Sequence, residues 1–131
     1  MFIDASAIVA IVAPEEDGPA LSARLDQTDI VRTSPISIYE AVLGLARKLD
    51  ISVVDAGEAV DNFIKSSQTE IIPITAEIGR VAITAFERFG RGRHPARLNM
   101  GDCFAYACAR SLDVPLLFKD DDFAQTDIAV A

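Results

Sequence analysis

Carboxylates at four places in this chain could share a divalent cation. Asp4 ends the apolar opening Met1-Phe2-Ile3, and Glu40 lies inside an otherwise apolar helical stretch. Asp102 follows the loop Arg97-Leu98-Asn99-Met100-Gly101, and the run Asp120-Asp121-Asp122 follows Pro115-Leu116-Leu117-Phe118 after the single residue Lys119. Acids that converge on one pocket repel each other, and a divalent cation relieves the repulsion. Hard oxygen donors suit Mg²⁺, with Mn²⁺ as a possible substitute, and such ions supply the hydroxide and the leaving-group stabilisation that phosphodiester hydrolysis requires. Asp4 and Asp102 are read as direct metal ligands. Glu40 and Asp120 then bind a second ion or orient the attacking water. Asp4, Glu40 and Asp102 are expected within reach of one ion, at the roughly 2.0–2.6 Å of such coordination.

Other reactive groups fall short of a mechanism. Ser6 lies close to Asp4, but the one histidine, His94, sits in a basic loop and no Ser-His-Asp order can be built. Metal-free RNA cleavage would need both an acid and a base, which a single loop histidine does not supply. Cys103 and Cys108 are five residues apart on one expected helix and point to different faces. They are read as small core-filling thiols, since no zinc spacing is present.

Periodicity places the acids on elements. Residues 2–4 read as a short buried strand, followed by a helix from about Ser6 to Val12 that breaks at Pro14. Asp17 can cap a second helix across Ala20, Leu21 and Leu25, and Ile30 to Thr33 reads as a strand. A third helix runs from about Pro35 to Leu49, with Ile38, Val42, Leu45 and Leu49 on one stripe and Ile36, Leu43 and Glu40 opposite. Apolar on two sides, that helix is buried on both, which points Glu40 into a lined cavity. Ser37 and Glu40 also fit a capping box, the structural alternative, although Ser34 as cap with Pro35 in the first turn starts the helix earlier.

Asp55 and Glu58 form another capping pattern ahead of Ala59, Val60, Phe63 and Ile64, and Glu70 to Ile74 is strand-like. Ile78, Val81, Ala82, Ala85, Phe86 and Phe89 form a core-facing stripe ended by Gly90. Asn99 to Leu112 reads as helix, Pro115 to Phe118 as strand, and Ile128 to Val130 as a short last strand. Short apolar strands alternating with helices imply an α/β fold with a mainly parallel sheet covered on both faces. Ligands bind beyond the carboxyl ends of such strands, and all four acidic positions arrive at that edge. Helix dipoles there would steady Asp102.

Size and charge narrow the class. The chain's 131 residues, half of them apolar, suit a single domain over 1–131 with a real core. The longest uncharged apolar stretch, Ala5 to Pro14, is too short to span a bilayer, and Asp4 stands where a signal peptide carries positive charge; no membrane association and a cytoplasmic location are expected. A formal charge of −8 excludes a protein that coats nucleic acid by bulk attraction. It does not exclude a nuclease whose phosphates are held by a local basic loop. Arg88, Arg91, Arg93, His94 and Arg97 fall within ten residues just before Asp102. Arg91, Arg93 and Arg97 are therefore candidates for guiding phosphates, against the alternative of a solvated basic surface.

Taken together, Phe2-Ile3-Asp4-Ala5-Ser6-Ala7, the Glu40 helix, His94-Pro95-Ala96-Arg97-Leu98-Asn99-Met100-Gly101-Asp102-Cys103 and Leu116-Leu117-Phe118-Lys119-Asp120-Asp121-Asp122-Phe123 resemble the PIN-domain ribonucleases. Within these, the chain is similar to the VapC toxins of bacterial type II toxin–antitoxin modules, over essentially its whole length. The resemblance implies a PIN-like three-layer α/β/α domain and Mg²⁺-dependent endonucleolytic cleavage of RNA, often tRNA or rRNA. It also implies a homodimer neutralised by a cognate VapB-like antitoxin. By position its acidic set becomes Asp4, Glu40, Asp102 and one of the terminal acids. Many PIN domains carry Thr or Ser two residues before that last acid; Phe118 stands there, so only Asp120 matches, and Asp121 and Asp122 remain alternatives. An antitoxin arginine could enter the acidic pocket, with an amphipathic segment in a groove walled by residues such as Val12, Leu21 and Leu45.

Two rivals stand beside this reading. A phosphoacceptor signalling domain also gathers acids at a parallel sheet edge, but it needs an acceptor Asp after a central strand. Ile71-Ile72-Pro73-Ile74 is instead followed by Thr75-Ala76-Glu77, a helix start. A catalytically inactive PIN-fold binding module is the other, and the presence of every candidate acid speaks against it.

Overall fold

Residues 1–13 and 15–131 are described in the computed structural model of the protein. Four strands of two residues each, β1 (Phe2–Ile3), β2 (Arg32–Thr33), β3 (Glu70–Ile71) and β4 (Leu116–Leu117), form one sheet in the order β3-β2-β1-β4. All three pairings are parallel, with Phe2 beside both Arg32 and Leu116 and Ile3 beside Leu117. The helices are α1 (Ala5–Val12), α2 (Gly18–Asp26), α3 (Pro35–Leu49), α4 (Val53–Ser66), α5 (Ala76–Phe89) and α6 (Met100–Leu112). A 3-10 turn over Asp121–Gln125 follows β4.

Strand alternation divides the core. Ile3 and Leu117 turn to the face packed by α1, α2, α3 and α4, where Ile8, Leu21, Leu45 and Val60 are buried. Phe2 and Leu116 turn to the opposite face and meet Ala82, Phe89, Ala105 and Cys108 from α5 and α6. The expected α/β/α layering with a parallel sheet is therefore present. Cys103 and Cys108 are free thiols in this second core, in keeping with their spacing. Burial pushes both thiols up to about 11, which keeps them protonated and inert.

Several boundaries differ from the sequence reading. The strands are shorter, each spanning two residues only. Ile128–Val130 contributes a single parallel bridge, Val130 to Leu116, rather than a strand. Helix α4 is capped by Ser52, whose hydroxyl accepts from the Asp55 N–H at 3.0 Å, so Asp55 lies inside the first turn rather than at the cap. For α3 the earlier start holds: Ser34 accepts from the Ser37 N–H at 3.1 Å, with Pro35 in the first turn. This removes Glu40 from capping duty and places it in the second turn. The expected break at Pro14 lies outside the described residues. Leu21 and Leu45 do not wall a groove; both are buried in the core, 6% and 0% exposed. Among the described residues no helix is long and apolar enough to cross a membrane.

The carboxyl edge of the sheet is held tightly. The Asp4 N–H donates to the Leu117 carbonyl at 3.0 Å, extending the β1–β4 ladder by one residue. The buried Thr33 hydroxyl donates to the Ile3 carbonyl at 3.0 Å, tying β2 to β1 beside Asp4. Chain segments that leave this edge start from fixed points.

Candidate active site

One cavity of about 290 Å³ opens at that edge, and its lining includes Asp4, Glu40, Asp102 and Asp120, together with Ser6, Asn99 and Lys119. Four separate segments of the chain thus deliver the four acids singled out from the sequence, and Glu15 is a fifth carboxylate in the wall. Asp4 is the N-cap of α1, 4% exposed, and its Oδ2 accepts from the Ser6 N–H at 3.0 Å and the Ser6 hydroxyl at 2.7 Å. The same hydroxyl accepts from the Lys119 N–H at 3.1 Å, linking the first acid to the segment that carries Asp120. Ser6 therefore fixes a carboxylate rather than acting as a nucleophile.

Asp102 is steadied by its own helix start. Asn99 caps α6 and accepts from the Asp102 N–H at 2.9 Å, while Asp102 Oδ2 accepts from the Asn99 N–H at 3.0 Å. This reciprocal box fixes the Asp102 rotamer and leaves Oδ1 outside the box. Glu40 reaches the cavity from the second turn of α3, half-buried, as the two-sided apolar pattern of that helix predicts.

The electrostatics follow from this crowding. Burial raises the Asp4 carboxyl above its ordinary range, against its Ser6 hydrogen bonds, and the charge of Asp120 raises it further. Burial, then the charges of Asp4 and Asp102, push Glu40 up to about 7. Asp102 also rises to about 7, through burial first and then Asp4, Asp122 and Asp120, against the Asn99 hydrogen bond. Of the terminal acids, Asp120 lines the cavity and acts on both Asp4 and Asp102, while Asp122 acts on Asp102. Asp121 is exposed and does neither.

The donor set consists of hard carboxylate oxygens in mutual repulsion, the chemistry that a divalent cation relieves. Yet the described residues hold no group of three His, Cys, Asp or Glu side chains that could enclose an ion as they stand. The expectation that Asp4, Glu40 and Asp102 lie within reach of a single ion is not met in this arrangement. A site of this looser kind matches Mg²⁺, which keeps several waters and takes one or two carboxylates plus substrate phosphates rather than a full protein cage.

Other candidates lie elsewhere. Arg91, Arg93 and Arg97 are exposed on the loop between α5 and α6 and are not part of the cavity wall. The loop is braced by the Arg91 N–H donating to the Leu98 carbonyl at 3.0 Å, and the Arg93 guanidinium lies 5.6 Å from the Phe86 ring centre. His94 accepts from the Ala96 N–H at 3.1 Å and packs edge-on against Phe89, also outside the cavity wall. Glu15 carries no signal in the sequence reading. It lines the cavity and pairs with both Lys48 and Lys119, so a lysine beside the acids is held by a carboxylate at the rim. Those pairs span 33 and 104 residues of sequence, a separation no local pattern reveals.

The comparisons agree with the geometry. A family model described as the PIN domain matches residues 1–129. A VapC ribonuclease of Rhizobium meliloti is 39% identical, with 97% of this chain and 98% of that protein covered. Among solved structures, Mycobacterium tuberculosis VapC20, described as a Sarcin-Ricin loop cleaving toxin, superposes with a TM-score of 0.79 at 19% identity, covering 99% of this chain and 97% of that one. A toxin–antitoxin complex from Klebsiella pneumoniae gives a TM-score of 0.71 at 17% identity, covering 99% and 95%.

The raised carboxyls set a pH dependence. Free Glu and Asp titrate at 4.5 and 3.8, whereas Glu40 and Asp102 titrate at about 7 in the folded chain. Between those values the native state binds the extra protons, so its stability is greatest on the acid side and is lost as pH rises through 7. The Met1 ammonium, lowered from 8.0 by burial and then Arg32, opposes the fall only as pH nears 8, and Asp127, lowered by its hydrogen bond from Tyr106, contributes its own loss only below 3.8, outside this window. Thermal melts of the metal-free protein should therefore show Tm falling from pH 5 to pH 8, with a shallower fall in Glu40→Gln/Asp102→Asn. A Tm that rises with pH over this window, or an equal fall in the double variant, contradicts the assignment.

Proposed function

The chain belongs to the PIN-domain family, among the VapC ribonucleases, and on that premise we propose that it is a Mg²⁺-dependent endoribonuclease toxin acting as one domain over residues 1–131. The observation that carries this reading is the convergence of Asp4, Glu40, Asp102 and Asp120, carried by four separate chain segments, on one cavity. Asp4 and Asp102 would hold Mg²⁺, or Mn²⁺ in its place. When bound, the ion supplies a Lewis acid that lowers the pKa of water and stabilises charge on the departing oxygen.

The remaining steps belong to side chains. Ser6 keeps Asp4 Oδ2 in place, and the Asn99 box does the same for Asp102. Glu40, titrating at about 7, is matched to accept a proton from water at neutral pH through a carboxylate oxygen. Asp120, in the same cavity wall, would help to orient that water. The substrate is an RNA, proposed to be a tRNA or rRNA, whose backbone Arg91, Arg93 and Arg97 draw toward the cavity. The partner is a VapB-like antitoxin, with a basic side chain suited to the acidic cavity. A homodimer is proposed as well, and the apolar cleft of Ile83, Phe86, Met100 and Phe104 between α5 and α6 offers surface for it. A cytoplasmic site of action is proposed with it.

Exchanging Asp4 or Asp102 for Asn should reduce RNA cleavage by about 10²-fold or more while the metal-free protein melts at the same temperature or higher. Asn keeps the shape and removes both the ion's ligand charge and part of the repulsion. Cleavage by Asp4→Asn at the parent rate would refute the catalytic assignment.

The arginine loop should bind rather than react. Replacing Arg91, Arg93 and Arg97 with Ala should weaken RNA binding and flatten its dependence on salt, the slope of log K against log salt falling by about 0.7 for each phosphate left without its arginine. An unchanged salt slope assigns these arginines to the solvated surface.

A further inference from the structure

Glu40 caps no helix, yet its carboxyl occupies a defined place. That place is the bare face of Gly101, the residue before Asp102. A β-carbon built on Gly101 would overlap Oε1, Oε2 and Cδ of Glu40 together. Of the seven glycines, only here would the added carbon meet a charged group. Gly18 abuts backbone, Gly90 meets the Phe86 carbonyl and ring, Gly44 meets the Val9 side chain at 3.4 Å, and the others face open space.

Nothing in the backbone asks for glycine at this position. Gly101 is the second residue of α6, and the one glycine with positive φ is Gly92. In a helix glycine is the poorest choice after proline, so local propensity argues for almost any other residue. The position is buried, while its neighbour Met100 is exposed. The space where a side chain would be is filled by a carboxyl from another helix.

We infer that Gly101 is a positioning residue for the acidic site: its missing side chain is the seat that holds the Glu40 carboxyl against the first turn of α6, beside Asp102. The inference deepens the proposed ribonuclease reading and rests on it for its functional consequence. The seat itself is a geometric claim about the metal-free protein. Because the overlapping atoms end a flexible side chain, Gly101→Ala should displace Glu40 rather than unfold the chain.

A cycle of Gly101→Ala, Glu40→Ala and the double variant separates the two. In the Glu40→Ala background the seat is empty, so Gly101→Ala should raise the metal-free Tm by about 3–6 °C through helix propensity. With Glu40 present that gain should vanish or reverse. Gly101→Ala should also weaken Mn²⁺ binding, read by calorimetry, and RNA cleavage by about 10-fold or more, with no further loss in the Glu40→Ala background. Glu40→Asp, shorter by one methylene, should restore part of what Gly101→Ala removes. An equal Tm change in both backgrounds, or a full further loss in the double variant, overturns the seat. If Gly101→Ala alone does not fold, the double variant still decides: a Tm below that of Glu40→Ala overturns the proposal. A Tm pattern as expected with unaltered cleavage in Glu40→Ala would keep the seat and refute the catalytic reading instead.

Discussion

Carboxylates that share a half-buried cavity raise each other's proton affinity, and here that mutual field sets what the surrounding elements must do. Asp4, Glu40 and Asp102 all titrate above their ordinary range, for the same two reasons of burial and neighbouring charge. Held together without compensation, such groups would loosen the fold that carries them. The chain supplies compensation locally: two hydrogen bonds from Ser6 to Asp4, and the Asn99 box on Asp102. Both acids also sit at helix N-termini, where the dipole favours negative charge. These devices reduce the repulsion without abolishing it. The residual field is what the proposed cation, or a basic side chain of the proposed partner, would relieve.

Position comes from topology. A parallel sheet sends every strand out at the same edge, so Asp4 after β1, Asp120 after β4 and α3 after β2 must meet there. Strands of two residues suffice because the pairing is extended by single bonds at this edge, from the Asp4 N–H to Leu117 and from the Thr33 hydroxyl to Ile3. The alternation of Phe2 with Ile3 and of Leu116 with Leu117 packs helices on both sides.

Much of this is legible from sequence because it is governed by local rules. Helix α3 is readable through Ser34 and Pro35, and its two apolar sides imply a half-buried Glu40. Asp4 declares itself by standing directly after an apolar strand, and Asp120 by following one within three residues. What escapes is set by neighbours distant in sequence. Glu15 gains its place from lysines 33 and 104 residues away. Gly101 looks like an ordinary loop glycine, because the carboxyl that fills its empty side lies on another helix. Leu21 and Leu45 look like groove walls, but an amphipathic stripe alone does not tell a partner-facing side from a core-facing one. The three-acid grouping around one ion fails for a related reason, since spacing fixes the edge at which acids arrive but not the distances among their oxygens.

The claim that one repulsive field joins these acids is tested most directly by following the carboxyl carbons of Glu40 and Asp102 by NMR as the metal-free protein is titrated. Both should titrate at about 7, and both should move toward ordinary values when Asp4→Asn removes a shared neighbour. Titration of either at its free value of 4.5 or 3.8, unmoved by Asp4→Asn, would mean that the acids lie near one another without forming a site.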